Sequence, residues 1–142
     1  MEPGAGRIAS GHAPQEVNVL LDTHFVLWAA LGADRLREFP WLNRYRPWCV
    51  SPVSLLEIQF LAEVGRLELD DQFFDVLAQD GRFMIDEPPL ASLVAAAMPL
   101  TWTRDPFDRL LVAHSLHRRT PLCSVDRTVR AHHKLMAKEL RA

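Results

Sequence analysis

The stretch Val17-Asn18-Val19-Leu20-Leu21-Asp22-Thr23-His24-Phe25 decides how the rest of the chain is read. Its first five residues form a short apolar run, β-branched at the start, and read as a buried strand. The run stops at Asp22-Thr23, either of which can cap a helix, and a helix over Phe25–Leu31 follows, halting near Gly32. A buried strand that passes straight into a capped helix is half of a β-α-β unit.

Working outward, the same pattern returns. Trp48-Cys49-Val50 reads as a second strand. Ser51-Pro52 then opens a helix, with Ser at the N-cap and Pro at the first helical position, running to about Val64 and stopping at Gly65. Phe83-Met84-Ile85 and Pro121–Val125 read as a third and fourth strand. Between them lie a partly helical Ala33–Tyr45 interrupted by Pro40, a helix over Asp71–Gln79, a helix over Leu90–Ala97, and the clearest helix of all, from Asp105-Pro106 to about Arg119. After Asp126 a basic, polar helix runs to the end, with no evident fifth strand. Alternating strands and helices predict an α/β fold: a three-layer α/β/α sandwich around a mostly parallel sheet of four to five strands. Residues 1–16, rich in Gly, Ala and Pro, read as a flexible arm, and residues 17–142 as a single domain.

Composition agrees with that architecture. The chain has 142 residues, 49% apolar and 24% charged, which excludes intrinsic disorder, a coiled coil or a collagen-like fibre. No apolar run approaches the ~20 residues of a membrane span, and the N-terminal stretch lacks the apolar core of a secretion signal. Cys49 and Cys123, each in an apolar run, fit buried thiols in a reducing cytoplasm better than a disulfide. Net charge is only −2, but it is unevenly spread: residues 1–100 carry seven Lys/Arg against fourteen Asp/Glu, and residues 101–142 carry nine against four. That division fits either solvated helix faces or an acidic pocket beside a basic rim able to hold a phosphate backbone.

In parallel sheets of this kind, ligands bind beyond the carboxyl ends of the strands, where strand order reverses. Asp22 directly follows the first strand and Asp126 the last. Asp105 and Asp108 share the first turn of one helix. Glu57 sits in Val53-Ser54-Leu55-Leu56-Glu57-Ile58, where a lone charge among apolar neighbours is costly unless it is paired or meets a cation. Each residue also has a purely structural explanation: Asp22, Asp105 and Asp126 as helix caps, Glu57 as partner of an arginine such as Arg109. Four carboxylates delivered to one sheet edge nevertheless repel one another unless a cation lies between them. Oxygen-only donors favour Mg²⁺ or Mn²⁺ over zinc. His114 and His117, three apart on a helix, and the adjacent His132 and His133 lack a third ligand and read as surface or packed residues, as does His24. Most of Trp28, Trp41, Trp48 and Trp102 belong in a core.

Five segments stand in a characteristic order: Leu20-Leu21-Asp22-Thr23-His24, Ser51-Pro52-Val53-Ser54-Leu55-Leu56-Glu57-Ile58, Gly65-Arg66-Leu67, Arg104-Asp105-Pro106-Phe107-Asp108-Arg109-Leu110-Leu111-Val112-Ala113 and Ser124-Val125-Asp126. This ordered set resembles a PIN domain of the VapC type, the toxin of bacterial toxin–antitoxin pairs. The resemblance implies a metal-dependent endoribonuclease in the cytoplasm, with Asp22, Glu57, Asp108 and Asp126 as catalytic and metal-binding residues. It implies supporting roles for Asp105, Thr23 and Ser124, and one or two Mg²⁺ or Mn²⁺ ions as cofactor. Arg104, Arg109, Arg127 and Arg130 are candidates for substrate phosphates. The resemblance further implies a structured RNA substrate such as tRNA or rRNA, products with a 5′-phosphate and a 3′-hydroxyl, a cognate antitoxin and a homodimer. Phe25, Trp28, Trp41 and Leu42 lie in the two early helices that resemble the antitoxin-binding surface. The chain departs from the family pattern at Thr103, where a His is common, and at Ser124, where Thr is usual. A catalytically silent module that binds RNA or protein, and a metal phosphohydrolase acting on DNA or a small phosphate ester, are the alternative readings.

Overall fold

A computed structural model describes residues 18–141; the arm expected over residues 1–16 lies outside the described residues. Four short strands, β1 (Leu20–Leu21), β2 (Trp48–Val50), β3 (Phe83–Ile85) and β4 (Leu122–Cys123), form one sheet in the order β3-β2-β1-β4. All three pairings are parallel, with Leu20 opposite both Cys49 and Leu122, and Cys49 opposite Met84. The helices are α1 (Thr23–Leu31), α2 (Pro52–Glu63), α3 (Phe73–Gln79), α4 (Leu90–Ala97), α5 (Pro106–Arg118) and α6 (Arg127–His132). The α/β sandwich expected from strand–helix alternation is the fold found. Among the described residues no helix is long and apolar enough to cross a membrane.

The strands are continuous apolar runs because the sheet is covered by helices. Val19, Leu20, Leu21, Trp48, Val50, Leu122 and Cys123 are all buried. Trp48 is wholly buried, and its indole N–H donates to the Leu42 carbonyl at 2.8 Å, so the ring enters the core with its one polar atom satisfied. Cys49 and Cys123 are both buried free thiols. Burial pushes the Cys49 thiol up to about 11, which keeps it protonated and unreactive.

Strand order fixes where a site can form. The chain leaves β1 toward β2 on one side, and β4 lies on the other side of β1. Connections therefore diverge between β1 and β4, and the carboxyl ends of these two strands are where a ligand site is expected in such a sheet. The Asp22 N–H donates to the Cys123 carbonyl at 3.0 Å and closes the β1–β4 ladder at that edge.

Sequence and structure differ where local signals are weak. Ala33–Tyr45 forms two 3-10 helices, Asp34–Glu38 and Pro40–Tyr45, rather than an interrupted α-helix. The helix expected from Asp71 starts at Phe73. The strand expected over Pro121–Val125 narrows to Leu122–Cys123. The largest correction concerns the C-terminus. The basic helix stops at His132, and the chain turns back to lay Met136 beside Leu122 in a parallel bridge, the rudiment of a fifth strand. Leu122 N–H donates to Leu135 O and Ala137 N–H to Leu122 O, both at 2.9 Å. Burial of His133, Met136, Ala137 and Leu140 supplies the apolar gain that outweighs continuing the helix. Tyr45 and Arg44 hold Glu139, which fastens the segment to the second 3-10 helix.

Candidate functional site

The acidic edge is built from capped helices. Asp22 is the N-cap of α1, its Oδ1 accepting from the Phe25 N–H at 3.0 Å. Asp105 is the N-cap of α5, accepting from the N–H groups of Phe107 at 2.8 Å and Asp108 at 3.2 Å. Asp126 is the N-cap of α6, accepting from the Val129 N–H at 3.0 Å. Each cap uses Oδ1, which leaves the second carboxylate oxygen for other partners. Capping and metal binding are thus compatible here. Asp108 lies inside the first turn of α5, where the positive end of the helix favours a carboxylate.

Glu57 is held from the side. Thr23, fully inside the protein at the start of α1, donates its hydroxyl to Glu57 Oε1 at 2.5 Å and lies 3.1 Å from Ser54 Oγ. Ser124, buried one residue beyond β4, accepts from the Asp126 N–H at 3.1 Å, and its hydroxyl also reaches Asp22. The Thr23 hydroxyl therefore contacts Glu57, and the Ser124 hydroxyl contacts the Asp126 backbone. Ser54 was missed by the sequence reading. Its signal was available: it precedes Glu57 by three residues and so shares its helix face.

The electrostatics show that these groups crowd one another. Burial raises the Asp108 carboxyl from its ordinary 3.8 to about 7, and Asp105, Asp126, Glu57 and Asp22 all add to the rise. Burial also raises Asp22 to about 6, with Glu57 adding to it and the Phe25 N–H, the Ser124 hydroxyl and His24 opposing. Glu57 is raised by burial, against the Thr23 bond. Carboxylates at the starts of α1, α5 and α6 and within α2 thus act on one another. Among the described residues, however, no three His, Cys, Asp or Glu side chains stand in a ready ligating arrangement. The donors are all oxygens on four separate elements, and their mutual repulsion is what a hard divalent cation relieves. The residues present therefore suit Mg²⁺ or Mn²⁺ by chemistry.

The arginines divide. Arg104 and Arg127 are exposed beside Asp105 and Asp126. Arg109 instead donates to the carbonyls of Ala97, at 3.1 and 3.3 Å, and Met98, at 2.9 Å, closing the C-terminal end of α4. Among the described residues its bonds are to these carbonyls and not to Glu57. Arg130 donates from Nε to the Leu140 carbonyl at 3.1 Å and ties down the C-terminal segment. His24 is exposed on α1, near enough to act on both Asp22 and Glu57. His114 is buried away from this cluster against Asp86, and His117 is exposed. Of the four early-helix residues, Phe25 and Leu42 are core, which leaves Trp28 and Trp41 half-buried at the surface.

Comparison with known proteins agrees with the geometry. The PIN domain family model matches residues 19–134. The chain is also similar to a protein named Ribonuclease VapC22 from Mycobacterium tuberculosis (strain ATCC 25618 / H37Rv), 28% identical over 118 residues, covering 80% of this chain and 91% of the relative. Taken with the parallel sheet, these matches show that the chain belongs to the PIN domain family.

Proposed function

We propose that this PIN domain is a metal-dependent endoribonuclease that hydrolyses phosphodiester bonds in RNA and acts in the cytoplasm as the toxin of a toxin–antitoxin pair. The observation that carries the reading is the burial of Asp108 among carboxylates: burial raises it to about 7, and Asp105, Asp126, Glu57 and Asp22 add to the rise. Asp22, Glu57, Asp108 and Asp126 would hold the Mg²⁺ or Mn²⁺. When bound, the ion supplies charge stabilisation at the phosphoryl group and a more acidic water. The chain's own residues do the positioning. Thr23 fixes the rotamer of Glu57, Ser124 links Asp22 to the Asp126 backbone, and Asp105 sets the start of α5 and so the place of Asp108. Exposed Arg104 and Arg127 meet the substrate backbone.

Half-buried Trp28 and Trp41 support an antitoxin surface along α1 and the 3-10 helices. Leu90, Val94 and Met98 are exposed at helical spacing along α4 and support a homodimer.

The test is cleavage of total cellular RNA by the purified protein, free of any antitoxin, in Mg²⁺, Mn²⁺ and EDTA. The expected result is discrete fragments with 5′-phosphate ends in Mg²⁺ or Mn²⁺, absent in EDTA and absent with Asp22→Asn. RNA bound but uncut in every metal would replace this reading with a non-catalytic module. Cleavage that persists in EDTA would remove the metal from it.

A further inference from the structure

One aromatic feature beside the acidic edge has no part in the reading above. Trp102 and His132 stack face to face, with ring centres 4.9 Å apart and planes within 5°. Trp102 is partly buried and packed against the core, while His132 is exposed. The His132 ring is also held from behind its plane edge, with Nδ1 2.9 Å from the Thr128 carbonyl one helical turn earlier. The arrangement is a rigid two-ring stack whose inner ring is anchored and whose outer ring faces solvent.

Its position follows from the chain. His132 is the last residue of α6, the helix that Asp126 caps, so it stands about 9 Å along the helix axis from that carboxylate. Trp102 precedes Asp105 by three residues, within about 10 Å of chain. The stack thus joins the two segments that deliver Asp105, Asp108 and Asp126. Arg104, Arg127 and Lys134, within two to five residues of one ring or the other along the chain, are exposed, and residues 101–142 as a whole carry nine Lys/Arg against four Asp/Glu.

Resting on the nuclease reading, we propose that the outer face of His132, backed by Trp102, is a stacking shelf for an unpaired nucleobase close to the scissile phosphate. The substrate class it selects is RNA with an unstacked base, in a single strand or a loop. Aromatic rings receive splayed-out bases in this way, and every base offers the required flat face, so the shelf favours unpaired over duplex RNA without reading sequence. The exposed cations of the same two segments would hold the backbone while the rings hold the base. Because both rings are already fixed, little ordering cost remains to be met on binding.

The test measures binding by fluorescence anisotropy in Mg²⁺, in protein carrying Asp108→Asn so that the RNA survives. The probes are a labelled single-stranded RNA, the same strand in a duplex, and, as a base-free competitor, inorganic polyphosphate. Adding His132→Ala is expected to weaken single-strand binding roughly tenfold, the effect of one stacked base. Duplex and polyphosphate binding should stay unchanged, and His132→Phe should bind the single strand as His132 does. With Asp108 restored, His132→Ala should raise KM for cleavage and leave kcat within about twofold. Unchanged single-strand affinity in His132→Ala overturns the shelf, as does an equal loss for polyphosphate or an equal loss in His132→Phe. If the unmodified protein cuts RNA while any of these holds, the shelf alone is wrong. If it neither binds nor cuts RNA, the nuclease reading fails and the shelf fails with it.

Discussion

Two aspartates that follow parallel strands, Asp22 after β1 and Asp86 after β3, have opposite surroundings. Asp86 accepts from Arg118 Nε at 2.9 Å and pairs with His114 Nε2 at 2.8 Å. Burial works to raise its carboxyl, but those two bonds outweigh it and hold the group below the ordinary carboxylate range. His114 itself is kept from charging by its burial, against the pull of Asp86, so its Nε2–H is the donor. Among the described residues no arginine or lysine acts on Asp22 in this way: burial raises its carboxyl to about 6, Glu57 adds to the rise, and only the Phe25 N–H, the Ser124 hydroxyl and the exposed His24 oppose it. One strand end is closed on itself by protein groups. The other is left wanting positive charge. The contrast separates a carboxylate that serves the fold from one that serves a ligand, although both begin as Asp at a strand end.

Substitutions can break this contrast. The largest effect is expected from Asp108→Asn at the acidic edge. It should lower RNA cleavage on the order of a hundredfold or more, the effect of losing one electrostatic stabiliser, while thermal unfolding shows no loss of stability. Asp86→Ala should do the reverse. Leaving buried His114 and the Arg118 guanidinium unpaired costs about 2 kcal/mol in denaturant unfolding, with cleavage within about threefold of the parent. Equal activity losses in both variants would erase the distinction. Thr23→Val comes next: it keeps the shape and removes the donor to Glu57, so cleavage should fall about tenfold and Mn²⁺ affinity with it.

The smallest effect is on stability against pH. Asp22 and Asp108 titrate near 6 and 7 in the folded protein, above their ordinary 3.8. Folding therefore disfavours their charged forms. The stability they contribute is present at low pH and is lost as pH rises through the folded values. Metal-free protein should melt lower at pH 8 than at pH 5.5 by a few degrees. His114 and His133, both lowered by burial, act in the opposite sense as pH falls. The carboxylate part is read from the comparison with Asp108→Asn, in which the drop toward pH 8 should shrink. Mg²⁺ should restore the parent at pH 8 and have little effect at pH 5.5, where protons compete. A parent and variant with the same pH slope would mean that the carboxylates do not crowd.

Much of the acidic edge was legible because its residues sit at punctuation points. Asp22 and Asp126 end apolar runs, Asp105 precedes a Pro, and Glu57 is a charge inside an apolar helix. Such positions are set by local rules, and parallel topology brings them to one edge. The same local rules could not separate Arg109 from Arg104. Which carbonyls need covering at the end of α4 depends on how α4 packs against α5, and that is tertiary. The fifth-strand rudiment was hidden for a related reason. Leu135-Met136-Ala137 is too short to signal a strand, and its pairing with Leu122 is fixed by Glu139, Tyr45 and the buried His133. The role of Asp86 has no local signal either, since its partners lie 28 and 32 residues away in the sequence.

The most direct test of this contrast is calorimetric titration of Mn²⁺ into the parent, Asp86→Asn and Asp108→Asn proteins at pH 7.5. The parent and Asp86→Asn should bind Mn²⁺ with the same affinity and release protons on doing so, and Asp108→Asn should lose that binding. Equal binding by Asp108→Asn, or no binding by the parent, would contradict the assignment of the acidic edge between β1 and β4 as a cation site.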